Sequence, residues 1–246
     1  MNNTGILYGV GVGSGDPELL TLKALKTIRA CDVLAFPKPK ADGKAAAYEI
    51  VKTAIPDLGE KETLALFLPM TKDRAVMQES QKAAAALIID RLESRRTVAF
   101  LTLGDPSIYS TYTYLSRLVQ NKGYETAVIP GVPSFCAAAA LLREDLVSGD
   151  QILHIIPGSC HDTAAALDLA GVKVLMKMGA SIPEVTRLLA QKGAQAQVVE
   201  NCGMERQRVW SAVSEIDEHA VPAGYFTTII VKDEDPKNTS PQGGEG

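Results

Sequence analysis

Two apolar runs in this chain stop at the same tripeptide, and that punctuation restricts the fold more than any other feature. Val98-Ala99-Phe100-Leu101-Thr102-Leu103 is long enough for a strand buried on both faces, and Gly104-Asp105-Pro106 halts it. GILYGVGV, residues 5–12, is halted in the same way by Gly13-Ser14-Gly15-Asp16-Pro17. Glycine permits a backbone that side chains forbid, aspartate is a favoured N-cap, and proline suits the first helical position, where its missing N–H costs nothing. The pattern reads as strand, turn and helix, the unit of an open α/β sheet whose ligands sit beyond the carboxyl ends of its strands. It also fits an ordinary capped junction. The second instance carries more hydroxyls than packing requires, with Ser107, Tyr109, Ser110, Thr111, Tyr112, Thr113 and Tyr114 in its opening turns.

The elements alternate through the first half. A helix is expected over 17–29 with Leu19, Leu22, Leu25 and Ile28 inward, then a strand at 33–36, a helix at 45–54, a strand at 63–68 and a long helix at 74–95. The second half opens with a strand at Glu125–Ile129 and a small-residue helix at 135–142. Further strands are expected at 151–156, 173–177, 195–201, 208–212 and 225–231, with helices at 162–170 and 182–191. Consecutive strands late in this half imply a mixed sheet. The chain thus divides into an N-terminal domain, 1–122, a C-terminal domain, 123–232, and a tail, 233–246, which has no apolar anchor and is expected to be disordered.

Composition narrows the class. The 246 residues are 46% hydrophobic and 22% charged, enough for a sizeable core in one or two domains and unlike a disordered chain. A formal net charge of −4 argues against a nucleic-acid partner, which needs a basic footprint, and leaves room for an anionic ligand held by local lysines. No apolar run nears the ~20 residues that span a bilayer, and MNNTGILYGVGVG has no basic stretch before an apolar one, so a cytoplasmic protein with no membrane partner is expected. Cys31, Cys136, Cys160 and Cys202 form no CxxC pair and are expected to be buried reduced thiols, with no metal site. His154 reads as a core histidine, and His161, in a loop, is the one to test for ligand contact. The dinucleotide fingerprint fails: Gly9-x-Gly11 leads to Ser14, Gly11-x-Gly13 leads to Asp16, and Asp32 precedes the next strand instead of ending it. No GKS or GKT follows, so a P-loop fails too. Lys38, Lys40 and Lys44 follow the second strand and read either as solvated surface or as a clamp for carboxylates.

Five segments in order, YGVGVGSGDPELLTLKAL, FLTLGDPSIYSTYTYL, VIPGVPSFCAAAA, VLMKMG and VENCGMERQRVW, give the chain a resemblance to the tetrapyrrole methylase family over nearly all of residues 7–231. Those are S-adenosylmethionine-dependent C-methyltransferases, and GDPSIYSTYTYL is similar to the branch that methylates C20 of precorrin-2 or cobalt-factor II in cobalamin biosynthesis. The resemblance implies two α/β domains with the cofactor in the inter-domain cleft, a tetrapyrrole substrate and a homodimer. It implies that Leu103, Gly104 and Asp105 line the methionine end of the cofactor, with Ile108 close by, and that Pro133 and Ser134 form the turn after Pro-Gly. Met178 and Gly203 match contacts in the second domain, and Thr227 and Thr228 lie where the last strand approaches the adenine. One departure stands out. Ser14 replaces the proline usual in the first loop, which puts contact through that residue in question. Other readings on the same fold are a different precorrin methyltransferase or diphthine synthase; a reading of another class is a non-catalytic metabolite sensor.

Transfer of a methyl group from a sulfonium to an electron-rich meso carbon is an in-line displacement in which the cofactor brings its own leaving group. The protein has mainly to position the partners, an effect that reaches ~7–11 kcal/mol in favourable cases. A proton must then leave C20. Asp105, Tyr109 and Tyr112 are the catalytic candidates, although a free tyrosine with a pKa near ~10 is a poor base at neutral pH. A polycarboxylate substrate needs a basic rim, for which Lys38, Lys40, Lys44, Lys72 and Arg74 are the candidates.

Overall fold

Unbroken runs of Val, Ile and Leu form strands that are covered on both faces, and the first half of the chain supplies them in alternation with helices. In the computed structural model, which describes residues 5–40, 43, 45–71, 73–216 and 224–233, the elements of this half follow in order. They are β1 (Ile6–Gly11), α1 (Leu22–Ala30), β2 (Val33–Lys38), α2 (Ala46–Ala54), β3 (Glu62–Phe67), α3 (Arg74–Glu93), β4 (Val98–Thr102), α4 (Tyr112–Gln120), β5 (Glu125–Ile129) and α5 (Ser134–Leu142). The five strands pair in the order β3-β2-β4-β1-β5, each pair parallel. Central β4 is buried at every position, whereas edge strand β3 alternates between covered and exposed residues. The core gathers Leu7, Val98, Phe100 and Leu115 with Ile88 and Leu92 of α3. Helix α3 earns its place through a buried stripe, Gln81, Ala84, Ala85, Ile88 and Leu92, at helical spacing, and Asp73 caps it by accepting from the Ala75 and Val76 amides at 2.9 and 3.2 Å.

The sequence puts the domain boundary at 122/123, but the chain divides into Met1–Ala137 and Ala138–Gly246. The reason is β5, which adds to the first sheet by pairing with β1 from Ile6↔Glu125 to Val10↔Ile129. The expected 17–29 helix is also interrupted. Asp16 accepts from the Glu18 amide and starts a single short turn at Pro17–Leu19; the chain then extends, and Thr21 caps α1 by accepting from the Ala24 amide at 3.1 Å. Leu22 therefore falls outward, 76% exposed, and Ala24 and Ile28 carry the buried face.

The second unit contains β6 (Leu153–Pro157), α6 (Thr163–Leu167), β7 (Val172–Met176), α7 (Ile182–Gln191), β8 (Gln195–Glu200), β9 (Arg208–Trp210) and β10 (Thr227–Lys232). Its sheet has the order β6-β7-β10-β8-β9, with β6 and β7 parallel and the remaining pairs antiparallel, the mixed sheet that the run of late strands implied. Leu175, Leu189, Val198 and Ile229 centre its core. Asp233, counted with the tail, is tied down: its carboxylate accepts from the Gly171 amide at 2.6 Å and pairs with buried Lys173. The rest of that expected tail, 234–246, lies outside the described residues. The expectation of four buried thiols holds for Cys31 alone: Cys160 and Cys202 are half-buried, and Cys136, between buried Phe135 and Ala137 in α5, is exposed. Among the described residues no helix is long and apolar enough to cross a membrane, and no group of three His, Cys, Asp or Glu side chains is placed to hold a metal.

Candidate active site

Five parallel strands put five carboxyl ends on one edge of the first sheet, and three of the loops leaving that edge meet through their backbones. A Cβ on Gly11 would lie 2.7 Å from Gly131 N and Cα, and one on Gly131 would collide with Gly104 O. The Gly104 amide donates to Gly13 O at 2.8 Å, and the two residues form an antiparallel bridge. Only glycine lets three main chains come this close, and Gly104, at φ +67, also needs it for its conformation. Thr21 adds a fourth tie by donating to Pro130 O at 3.3 Å.

Asp105 fastens the same cluster. Its Oδ1 accepts from the Ser107 amide at 2.8 Å and from the Ser107 hydroxyl, and Oδ2 accepts from the Gly131 amide at 3.0 Å. Partial burial works against its charge, but these hydrogen bonds outweigh that and hold the carboxyl below the usual carboxylate range. The helix expected to begin at Pro106 does not form until Tyr112. Side chains take the backbone partners instead: Asp105 closes a turn onto Ser107, and Ser110 Oγ accepts from the Tyr112 amide at 3.2 Å while sharing a 3.0 Å bond with Thr102 Oγ1. Tyr109, at φ +46, breaks any continuous turn through the segment.

The edge brings together Leu103, Gly104, Asp105 and Ile108 with Pro133 and Ser134, whose Pro133 Cα and Ser134 N lie 3.8 and 3.9 Å from where a Gly104 Cβ would stand. A Cβ at Gly104 would fill the gap to the 132–134 turn, and bare backbone there is compatible with the cofactor the resemblance implies. The three catalytic candidates separate. Tyr109 is 46% exposed. Tyr112 is a correction: it is 2% exposed, packed on Gly9 and stacked on Phe100 at 6.2 Å, and its hydroxyl donates to Ala127 O at 2.7 Å. That burial pushes its phenol up and removes it from reach of a substrate. Asp105 has both oxygens engaged and serves as a brace. Of the rim candidates, Lys38 ends β2 opposite Phe67, Lys40 is exposed in the loop beyond it, and exposed Arg74 opens α3. Lys44 and Lys72 lie outside the described residues.

In the second unit Met178 is a core residue, Gly203 sits at φ +74 with its amide donating to Gln207 Oε1 at 2.8 Å, and Thr227 and Thr228 are buried in β10. Thr227 donates to Gly224 O at 2.8 Å. Opposite Thr227 on β8 stands Glu200, a residue without a sequence motif to mark it. Buried Glu200 accepts from Arg208 Nε at 2.6 Å and from the Gly224 amide, so it joins β8, β9 and the entry to β10. An acid ending the apolar run Val198-Val199, eight residues before an arginine, was the available signal. A cavity of about 650 Å³ in this unit, lined by Lys173, Lys192 and Asp233 among others, contains none of the candidate residues.

A model of the tetrapyrrole (corrin/porphyrin) methylases matches residues 6–217, and the chain belongs to that family. It is 34% identical over 242 residues to a precorrin-2 C(20)-methyltransferase of Sinorhizobium sp, covering 92% of this chain and 95% of the relative. It is 30% identical over 232 residues to the cobalt-precorrin-2 C(20)-methyltransferase of Salmonella typhimurium, covering 92% and 96%. Among solved structures, the uroporphyrin-III C-methyltransferase of Thermus thermophilus complexed with S-adenosylhomocysteine matches with a TM-score of 0.69 at 19% identity, over 93% of this chain and 98% of that one, a likeness of fold.

Proposed function

We propose that the chain is an S-adenosylmethionine-dependent methyltransferase acting on C20 of precorrin-2, metal-free or cobalt-bearing, in cobalamin biosynthesis. The observation that carries this reading is identity of 34% to a C20 enzyme along nine-tenths of both chains. The cofactor supplies an electrophilic methyl group and its own leaving group. What this chain has to provide is placement, and its glycine-joined loops suit that task because a fixed backbone loses no further freedom when a ligand docks. Leu103, Gly104, Asp105, Ile108, Pro133 and Ser134 are proposed as contacts to the cofactor's methionine end. Met178, Gly203, Thr227 and Thr228 are proposed as contacts on the second unit. Lys38, Lys40 and Arg74, with Lys44 and Lys72, are proposed to receive substrate carboxylates. Tyr109, exposed at this edge, is the proposed partner for ordering a proton-accepting water. The working form is proposed to be a cytoplasmic homodimer.

The test is anaerobic methyl transfer from labelled cofactor, with metal-free and cobalt-loaded substrate side by side. Label at C20 of either ring is the expected result, and the faster of the two identifies the natural form. No turnover of either, with S-adenosylhomocysteine still binding, would favour a metabolite sensor.

A further inference from the structure

The outward face of edge strand β3 is small or polar until its last residue. Leu64 and Leu66 join the core beside α3, and Thr63, Ala65 and Phe67 take the opposite, exposed side. An exposed edge strand ordinarily carries no large apolar side chain. Phe67 does: it is 59% exposed, and it stands where β3 reaches the carboxyl edge of the sheet. The parallel register sets it beside Lys38 and sets Ala65 beside Phe36, so these four side chains share one face. Tyr48 of α2 stacks on Phe36 at 4.5 Å, and Phe67 lies beyond that stack along the strand. Met70, three positions later, is 62% exposed. The turn that displays it is pinned at both ends: buried Leu68 donates its amide to Lys38 O at 3.1 Å, and Thr71 Oγ1 accepts at 3.0 Å from the amide of Asp73, the cap of α3. Two large apolar side chains held out from one braced segment mark a binding surface.

Position and charge identify what covers it. Ligands of parallel sheets dock beyond the carboxyl ends of the strands, and at that end Phe67 has Lys38 as its neighbour, with exposed Lys40 following. A phenyl ring and a thioether beside ammonium groups complement a broad apolar body fringed with carboxylates. We propose that Phe67 and Met70 seat the apolar face of the tetrapyrrole ring, with Lys38 beside them on its acidic fringe. The inference rests on the methyltransferase reading and adds the apolar part of substrate recognition, which lysines alone leave out. Phe67 offers a flat, rigid surface and Met70 a flexible, polarizable one that adapts to the ring.

Methyl-transfer kinetics of the parent, the Phe67→Ala/Met70→Ala double variant and Phe67→Tyr test this, with whichever form of precorrin-2 the parent methylates. Titration with S-adenosylhomocysteine, thermal melts and sedimentation velocity accompany them. The double variant is expected to raise KM for the tetrapyrrole about tenfold while kcat changes less than about twofold, the signature of lost substrate binding. Its KM should keep the parent's dependence on salt, because the deleted contacts are uncharged. S-adenosylhomocysteine affinity, melting temperature and sedimentation coefficient should match the parent, and Phe67→Tyr, which keeps the ring face, should restore the parental KM. An unaltered KM in the double variant would overturn the inference. So would a smaller sedimentation coefficient, which would give this face to a second copy of the chain, or a lowered melting temperature, which would make the two side chains structural. A parent that methylates neither form of precorrin-2 would overturn the methyltransferase reading and this inference with it; a contrary result confined to the variants overturns the ring contact alone.

Discussion

Replacing Glu200 with glutamine tests how the second unit holds the turn that carries Gly203 and the start of β10 at Thr227. The Glu200 side chain is 5% exposed, and its carboxylate takes Arg208 Nε at 2.6 Å, Arg208 Nη2 and the Gly224 amide. Glutamine keeps the shape and one acceptor, but its NH2 must face either the guanidinium or the amide, donor against donor. At least one charge-assisted hydrogen bond is lost, worth roughly 1.5–3 kcal/mol. Arg208 is 32% exposed and lies over the Trp210 ring at 4.9 Å, so it recovers part of its lost partner from water and stays below the ~3–5 kcal/mol seen when fully buried pairs are broken. The expected loss is about 2–3 kcal/mol, or roughly 4–12 °C in melting temperature for a chain of this size. Unfolding of the parent, Glu200→Gln, Arg208→Met and the double variant measures it, and a coupling energy of at least ~1 kcal/mol is expected. Additive single effects, or a Glu200→Gln variant within ~0.5 kcal/mol of the parent, would refute the reasoning.

Tyr112→Phe deletes the hydroxyl that donates to Ala127 O and is expected to lose about 1–2 kcal/mol in denaturant unfolding with kcat unchanged; a tenfold fall in kcat at parental stability would return Tyr112 to the catalytic set. The Asp105 carboxyl lies below its unfolded value, so its charged form stabilises the fold above about pH 4, and that contribution is lost as pH falls through the folded value. Asp105→Asn should therefore lose less stability than the parent on acidification to about pH 3, and a parallel decline in thermal melts would contradict this. Combined Lys38→Ala and Lys40→Ala substitution should raise KM for the tetrapyrrole several-fold with S-adenosylhomocysteine affinity unaltered, and an unaltered KM removes both lysines from the site.

Local chemistry made most of the strands readable. β5 and α7 fall on the expected residues, and the mixed second sheet followed from strands too close in sequence to be separated by helices. The errors lie where side chains compete with the backbone. At both Gly-Asp-Pro junctions the aspartate closes a short turn and the helix starts further on, near Thr21 and Thr111, because Asp16, Asp105 and Ser110 satisfy amides that a helix would otherwise use. The partnership of β5 with β1 was not readable from residues near 122, since it depends on a strand more than a hundred positions earlier. Likewise Tyr112 looked available beside so many hydroxyls, and only the ring's place against Gly9 shows it to be core. Glu200 was hidden because its partners, Arg208 and Gly224, become neighbours only when β9 and β10 flank β8.

The close approach of Gly11, Gly104 and Gly131 has a consequence for how such a protein diverges. With main chain resting on main chain, one residue inserted into or deleted from any of the three turns would displace the other two, so their lengths are inherited together. Variation in what the enzyme accepts is then channelled into substitutions beside the glycines, at places like Ser14, and into the longer excursions after β2 and β3.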